Sequence, residues 1–438
     1  MKIYRDSSDI EKILTKKSFD ELELSPKIRE ANRKLFGEDL TAIEIVRKIV
    51  AEVRSNGDQA VKKYTELLDG SKLDRFEVSY DEFSAAESKV DPKIMLSLER
   101  AASNIRQYHE EQKPNSWMTF RDKGSILGQS IVPLRRVGIY VPGGTAAYPS
   151  SVLMNAIPAA VAGVSEIFMA VPTRNGELNP YVLMAARIAG VDRVFKIGGA
   201  QAIAAFAFGT ESIPRVDKIA GPGNIFVTLA KKEVYGHCDI DMLAGPSEIL
   251  IVADESADPI LTVADLLSQA EHDPLATSIL ITTDQNLADQ VSIEVDKQLA
   301  ELPRREIAET SIDLNGKIII TENLDRAIEL ANISAPEHLE LLVKDPWQWI
   351  PKIDRAGAIF LGSNSPEPLG DYFAGPSHVL PTGGSARFSS VLSVETFLRR
   401  VSLISYTRDA LENVSKEIIS LAKTEGLDAH ARAIEKRF

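Results

Sequence analysis

The sequence predicts an α/β protein in which parallel sheets are covered by helices. Short apolar runs of strand length alternate with helical runs between about residues 131 and 231, and again between about residues 249 and 363. Glycine turns end several of the apolar runs. Strands and crossover helices that alternate in this way form parallel sheets. Helical periodicity before about residue 112 and after about residue 388 adds a helical N-terminal region and a helical C-terminal tail.

The N-terminal region is rich in charge and has apolar residues at helical spacing, with a break at Asn56-Gly57. We interpret it as a scaffold, or as an arm that packs on another part of the molecule. His109 lies in the last of its helical runs and is expected to be a surface histidine.

The first α/β series follows this region. Predicted strands lie at 137–141, 167–171, 194–197 and 218–220, and predicted helices lie at 150–161, 181–188 and 200–208, with a further helix running to 231. The turns Gly143-Gly144, Gly198-Gly199 and Gly221-Pro222 follow three of the strands. Parallel sheets bind ligands at the carboxyl ends of their strands, so these turns indicate a ligand site.

The second series has predicted strands at 249–252, 279–281, 317–320 and 358–361. Between the first two, Asp258-Pro259 predicts a helix start, because Asp caps free N–H groups and Pro tolerates the first helical position. Pro274 ends the pattern. Gln269 and His272 are three residues apart, which places both on one face of the last turn. Taken alone, this cluster is more typical of a solvated helix end than of a metal site.

The composition of the chain limits the classes of function that it can have. A chain of 438 residues with 44% hydrophobic and 26% charged residues is typical of a globular protein with more than one domain. A net charge of −13 without a basic run argues against nucleic-acid binding. No apolar stretch reaches membrane-spanning length, and the N-terminus lacks a signal peptide's apolar segment. The single cysteine, Cys238, excludes an internal disulfide and favours the cytoplasm.

Ala-Gly-Pro occurs three times, at 220–222, 244–246 and 374–376, and is followed each time by a polar residue, namely Asn224, Glu248 or His378. Gly and Pro together can hold such a side chain rigidly at a cleft. Ordinary turn chemistry explains any single copy equally well. Three copies, expected at the ends of predicted strands, favour a site.

Several polar residues could carry chemistry. Glu337 and His338 are adjacent after a proline, and a carboxylate beside an imidazole can serve two different proton transfers. One set of nitrogen and oxygen donors lacks thiolate and would suit a borderline divalent metal such as zinc: Gln269, His272, Asp371 and His430. No glycine-rich dinucleotide or phosphate-loop fingerprint follows a strand. Cys238 could be a nucleophile, but a structural role is favoured.

One ordered set of motifs runs from about Val132 to the C-terminus: Gly-Gly-Ala-Gln201-Ala, Gly-Pro-Gly-Asn224, Ala-Gly-Pro-Ser247-Glu, Ser-Gln269-Ala-Glu-His272-Asp-Pro, Ala-Pro-Glu337-His338-Leu-Glu, Gly-Asp371-Tyr and Gly-Pro-Ser-His378-Val-Leu-Pro. It resembles the histidinol dehydrogenase family. The resemblance implies a cytoplasmic homodimer that oxidises L-histidinol to L-histidine through a bound aldehyde, in two successive NAD-dependent steps of histidine biosynthesis. It also implies two incomplete Rossmann-like domains, which explains the missing fingerprint.

The resemblance assigns roles to matching positions. Zinc would be held by Gln269, His272 and Asp371, with His430 from the other subunit. His338 would take the alcohol proton and Glu337 would activate water on the aldehyde. NAD contacts would be Tyr140, Gln201 and Asn224. Substrate contacts would be Ser247, Gln269, His272, His338, Asp371, His378, Glu425 and His430, with His378 the least defined.

The expected division is an N-terminal arm (1–30), a first α/β domain (31–136 with 248–387) that carries zinc and the catalytic residues, an NAD-binding domain (137–247), and a tail (388–438) that contributes to the partner subunit's site. Rival functions stay open. A zinc hydrolase would use the same residue types but no second small-ligand domain. A related dehydrogenase would oxidise another small amino or sulfonated alcohol, and a non-catalytic binding module would leave the filled catalytic positions unexplained.

Overall fold

The computed structural model describes residues 1–7, 9–16, 26–143, 147–173 and 176–438. Gly144 of a predicted turn and much of the predicted arm, 17–25, lie outside the described residues. The strands are β1 Lys2–Arg5, β2 Trp117–Phe120, β3 Ile126–Pro133, β4 Arg136–Tyr140, β5 Glu166–Ala170, β6 Arg193–Phe195, β7 Lys218–Ala220, β8 Asp239–Ile240, β9 Glu248–Ala253, β10 Thr277–Thr282, β11 Lys317–Ile320, β12 His338–Leu342, β13 Ala358–Leu361 and β14 Leu398–Ser405. The helices are α1 Ile10–Leu14, α2 Pro26–Phe36, α3 Ala42–Asp69, α4 Tyr80–Glu87, α5 Pro92–Glu110, α6 Pro149–Ala162, α7 Pro180–Ala189, α8 Gly199–Phe208, α9 Ile225–Val234, α10 Pro259–Ala270, α11 Gln285–Leu299, α12 Arg305–Asn315, α13 Leu324–Ser334, α14 Glu367–Tyr372, α15 Arg408–Thr424 and α16 Asp428–Glu435.

Two parallel sheets organise the described chain. In the first sheet the strand order is β1-β11-β10-β9-β12-β13, and in the second sheet it is β6-β5-β4-β7-β8. Neighbouring strands run parallel throughout both sheets. Helices connect successive strands, as a parallel sheet requires. The predicted fold class, two parallel-sheet units with helical layers, is confirmed.

Each sheet is buried on both faces. On β5, Ile167 and Met169 face a core that includes α6 and α7, whereas Phe168 and Ala170 face a core that includes α8 and α9. The first sheet is covered in the same way by α10 and α11 on one face and by α1 and α13 on the other. Alternate residues point to opposite faces, so a strand buried on both sides is apolar without interruption. This explains why the strands were visible as continuous apolar runs.

Two local predictions were wrong. Lys2–Arg5 is a strand that pairs in parallel with β11, although the N-terminal residues were expected to be helical. His109, expected at the surface, is fully buried, and its Nδ1 lies 2.8 Å from the carbonyl oxygen of Ile105. The helical turn before His109 supplies this hydrogen bond to Nδ1, whereas the buried Nε2 has no partner among the described residues.

A small antiparallel sheet joins residues 117–133 to the C-terminal part of the chain. Its strand order is β14-β3-β2, and β14 pairs with β3 from Leu398 to Ser405. The predicted helical tail therefore begins with a strand and becomes helical at α15 and α16.

Helices α3, α4 and α5 pack on the second sheet. Buried residues of α3 share a core with α8 and α9, and those of α5 share the core of α6 and α7. This packing associates 42–110 with the second sheet, whereas the expected division placed 31–136 with the first domain. The division into domains stays a proposal. None of the helices in the described part of the chain is both long and apolar enough to span a membrane.

Candidate active site

Polar residues converge at the amino ends of two central strands of the first sheet. Glu248 begins β9 and His338 begins β12, and the register pairs His338 with Ile249. A crossover helix runs antiparallel to its strands, so the C-terminal end of α10, which carries Gln269, reaches the same edge. This candidate site lies at the edge opposite the carboxyl ends of the strands, where parallel sheets usually bind ligands.

Glu337 and His338 are held from both sides by Glu248. The backbone N–H of Glu248 donates to Glu337 Oε2 at 2.8 Å, and the backbone N–H of Glu337 donates to Glu248 Oε2 at 3.4 Å. His338 Nδ1 lies 2.9 Å from the carbonyl oxygen of Glu248. A carbonyl oxygen only accepts, so Nδ1 carries the hydrogen and Nε2 presents a lone pair. Glu248, two residues after the second Ala-Gly-Pro turn, thus orients both candidate catalytic groups.

Burial shifts the pKa of both groups. It lowers the pKa of His338 to about 4, against the effect of its hydrogen bond to Glu248, and keeps the imidazole neutral at pH 7. It also raises the pKa of Glu337 well above the ordinary range, and the negative charge of Glu248 acts in the same direction. A neutral imidazole can accept a proton, and a carboxylate whose pKa is raised is a stronger base than an ordinary one.

A group of possible metal ligands lies beside His338. His272, Glu367 and Asp371 place ligand atoms within 4.8 Å of one another. His338 Nε2 lies 3.9 Å from Asp371 Oδ1 and 4.0 Å from Glu367 Oε1. His272 is two residues beyond the end of α10 rather than on its last turn, and its N–H bonds back to the carbonyl oxygen of Gln269 at 3.2 Å.

Orphaned polar atoms at this site fit a bound ligand or ion. Gln269 is fully buried, and neither its Oε1 nor its Nε2 has a hydrogen-bond partner among the described residues. His338 Nε2 and Glu367 Oε1 are also buried without partners. Buried polar groups are rarely left unpaired. The nitrogen and oxygen donors present suit zinc with positions open to a substrate.

Glu367 was missed by sequence reasoning. It stands between two prolines and begins the short helix α14, which also carries Asp371. Ser268 Oγ donates to Glu367 Oε2 at 3.0 Å, and the Glu367 N–H donates to Glu340 Oε1 at 2.8 Å. Burial raises the pKa of Glu367 to about 9. The residues Pro-Glu-Pro are typical of a loop, so only the fold reveals the side chain's position.

His378 and Ser247 border the same region. His378 Nδ1 lies 3.0 Å from the carbonyl oxygen of Asp371, and its Nε2 lies 3.2 Å from Ser151 Oγ on α6. Ser247 is half-buried directly before β9. The bond from His378 to Ser151 connects the loop after α14 with the second sheet's helical layer.

Two predicted substrate contacts lie elsewhere in the single chain. Glu425 and His430 are exposed in the C-terminal tail. Among the described residues, the group of possible metal ligands contains His272, Glu367 and Asp371 but not His430. One chain therefore does not bring the tail to this site.

The predicted NAD contacts lie at the carboxyl ends of the second sheet, at a cleft of about 580 Å³ lined by Tyr140 and Asn224. Tyr140 Oη accepts the Gly199 N–H at 3.1 Å at the start of α8. Asn224 Oδ1 caps α9 by accepting the N–H groups of Phe226 and Val227. Gln201 is fully buried next to this cleft, and its Oε1 has no partner among the described residues.

The repeated Ala-Gly-Pro turns differ in position. The turn at 220–222 follows β7 as expected, but 244–246 leads into β9 and 374–376 follows α14. Gly221 has φ +111°, and a Cβ there would lie 2.1 Å from the Tyr140 carbonyl oxygen, so this position requires glycine. Cys238 is buried, which raises its pKa to about 12 and favours the structural role.

Comparison with known proteins covers nearly the whole chain. A sequence model of the family described as histidinol dehydrogenase matches residues 33–438. A histidinol dehydrogenase from Moorella thermoacetica is 57% identical over 395 residues, which are 90% of this chain and 93% of the relative. One from Clostridium acetobutylicum is 50% identical over 431 residues, which are 98% of this chain and 99% of the relative.

A crystal structure of histidinol dehydrogenase from Elizabethkingia anophelis has the same overall fold. Its TM-score is 0.91 at 35% sequence identity, and the match covers 100% of this chain and 98% of that one. Similarity therefore extends over both sheets, the small sheet and the tail.

Proposed function

Because the chain belongs to the histidinol dehydrogenase family, we propose that it oxidises L-histidinol to L-histidine through the aldehyde, using zinc and two molecules of NAD. The observation that carries this proposal is the lone pair of His338 Nε2, which faces Asp371 and Glu367 in a buried site. A neutral base aimed at a group of oxygen and nitrogen donors suits proton removal from a bound alcohol.

We propose that Gln269, His272 and Asp371 hold zinc and that the partner subunit's His430 completes the set. When bound, zinc would hold the substrate's imidazole and amino nitrogens and so orient its alcohol carbon. The orphaned amide of Gln269 supports this assignment, since a buried primary amide without partners has both polar atoms available. Glu367 lies within reach of the same group.

In the first oxidation His338 accepts the alcohol proton on Nε2. Glu248 fixes the required tautomer by accepting the Nδ1 hydrogen. When bound, NAD would supply the hydride acceptor for each of the two oxidations. Because burial keeps His338 neutral, its lone pair is available at pH 7.

In the second oxidation Glu337 accepts a proton from water as the water oxygen bonds to the aldehyde carbon. The hydrate then loses its hydride and becomes the carboxylic acid. Glu337 Oε2 lies 3.7 Å from His338 Nδ1, so both bases belong to one site. The pKa of Glu337 is raised and that of His338 is lowered, and this difference distinguishes the two proposed roles.

The dinucleotide is proposed to bind in the cleft of the second sheet. Tyr140 and Asn224 line this cleft, and the orphaned Oε1 of Gln201 is buried beside it. The His378–Ser151 bond links the first sheet's site with the helices of the second sheet.

We propose a homodimer with shared active sites. The small sheet exposes large apolar side chains, including Trp117 at 51%, Phe120 at 77% and Ile404 at 75%. Exposed apolar patches of this kind mark association surfaces. The tail with Glu425 and His430 follows β14 of the same sheet, so a partner seated there could receive both residues.

The single cysteine, Cys238, favours a reducing compartment, and we retain the cytoplasm as the proposed location. Oxidation of another small amino or sulfonated alcohol is the alternative activity.

The proposal is tested by NADH formation from L-histidinol with purified protein, before and after chelation and zinc return. We expect activity that chelator abolishes and zinc restores. Zinc binding without NADH formation would support the metal site and reject the substrate.

A further inference from the structure

The cleft of the second sheet contains an acidic residue that belongs neither to the first sheet's site nor to the predicted NAD contacts. Asp69 is the last residue of α3 and lines the cleft together with Tyr140 and Asn224. A carboxylate in the last turn of a helix opposes the helix dipole. Its presence there points to a role outside its own helix.

Asp69 is fixed by the start of α8. Gln201 Nε2 donates to Asp69 Oδ2 at 3.3 Å, and the Gly198 N–H also hydrogen-bonds the carboxylate. Gly199 N–H is already paired with Tyr140 Oη. Two of the first amides of this helix are therefore occupied by the chain's own side chains, although such amides bind the pyrophosphate in ordinary dinucleotide folds.

The charged side chains among the described lining residues of the cleft are acidic. Its described lining includes Asp69, which is half-buried, and Glu177, which is exposed, but no Lys, Arg or His. Burial raises the pKa of Asp69 to about 6, so the carboxylate is charged at pH 7.5. A carboxylate can accept hydrogen bonds from both hydroxyls of a ribose, whereas a bound phosphate needs cations or N–H donors around it.

We propose that Asp69 determines the preference for NAD over NADP, by accepting hydrogen bonds from a ribose diol and repelling a phosphate on the same ribose. This inference rests on the proposed NAD-dependent function. In ordinary dinucleotide folds an acidic residue after the second strand hydrogen-bonds the ribose. Here we assign that role to Asp69 at the end of α3.

The experiment compares kcat/KM for NADP and for NAD at pH 7.5 in wild type, Asp69→Asn and Asp69→Ser. Removing one negative charge at short range should raise the NADP-to-NAD ratio about tenfold or more. Asp69→Asn keeps an acceptor for Gly198, so α8 should retain its N-terminal contact. Glu177→Gln is the charge-matched control in the same cleft and should change the ratio less than threefold.

An unchanged ratio in both Asp69 variants, or an equal change in Glu177→Gln, would overturn the assignment. Calorimetric titration of NAD and NADP into the same variants measures binding without turnover. It therefore distinguishes a wrong assignment of Asp69 from a wrong proposed function. Wild-type protein that binds NAD but forms no NADH from L-histidinol would refute the substrate. The binding ratio would then still test Asp69.

Discussion

His338 donates its Nδ1 hydrogen to the carbonyl oxygen of Glu248 across 2.9 Å, and this bond leaves the lone pair on Nε2. The bond joins the first residues of two neighbouring strands, so the parallel register of β9 and β12 sets the imidazole's orientation. A rigid backbone acceptor holds the ring more firmly than a mobile side chain would. The tautomer of the proposed base thus follows directly from the sheet.

His338→Ala should slow the first hydride transfer by about 100-fold or more, because it removes the proposed base. Single-turnover NADH formation from L-histidinol measures this step. His237→Ala, on the surface, is the control. A wild-type rate in His338→Ala would show that another group takes the alcohol proton.

Glu337→Gln should form the aldehyde but oxidise it about 100-fold more slowly, because Gln cannot accept a proton from water. Supplying L-histidinol and L-histidinaldehyde separately distinguishes the two steps. The exposed Glu322→Gln is a matched control. Equal loss of both steps would argue against separate roles for Glu337 and His338.

Mixing inactive His430→Ala and Gln269→Ala subunits should restore activity. Random exchange gives mixed dimers that each contain one intact site, so about a quarter of wild-type activity is expected. Light scattering on the mixture checks that dimers are present. Mixed dimers that stay inactive would contradict a site shared between subunits.

His109 should make stability fall in acid. Burial lowers its pKa in the folded state, so below the ordinary pKa of about 6.5 the unfolded chain binds the proton more readily. The contribution is present above that pH and is lost as the pH falls through it. Urea unfolding of wild type and His109→Gln at pH 7.5 and 5.5 measures the difference. The variant should lose less free energy of unfolding than wild type between the two pH values, and equal losses would exclude a contribution from His109.

Cys238 should react slowly with a thiol reagent in the folded protein. The side chain is buried and its pKa is raised to about 12, so little thiolate is present or accessible. Labelling in buffer and in urea should differ by about 100-fold or more. Rapid labelling of folded, active enzyme would place the thiol at a reactive surface.

Local sequence signals predicted most helices and strands of the two sheets. Asp258 caps α10 and Pro259 starts it, as expected, because capping depends on neighbouring residues. The small sheet was not predicted, since β3 and β14 pair across more than 250 residues of chain. Period and propensity carry no information on such distant pairing.

The candidate site residues were proposed from motifs rather than from geometry. The structure brings together four residues to which the resemblance assigns roles, namely Glu337, His338, His272 and Asp371. The positions of Glu367 and Asp69 follow from which helices and strands lie side by side in the fold. Whether the partner's His430 enters the site depends on a second chain, so no pattern within one sequence decides it.

The number of NADH formed for each L-histidinol distinguishes one oxidation at this site from two. Limiting L-histidinol is consumed to completion with excess NAD and zinc, and NADH is compared with the L-histidine formed. We expect two NADH for each L-histidine and no accumulated aldehyde. One NADH per L-histidinol, with aldehyde as the product, would contradict oxidation through both steps at this site.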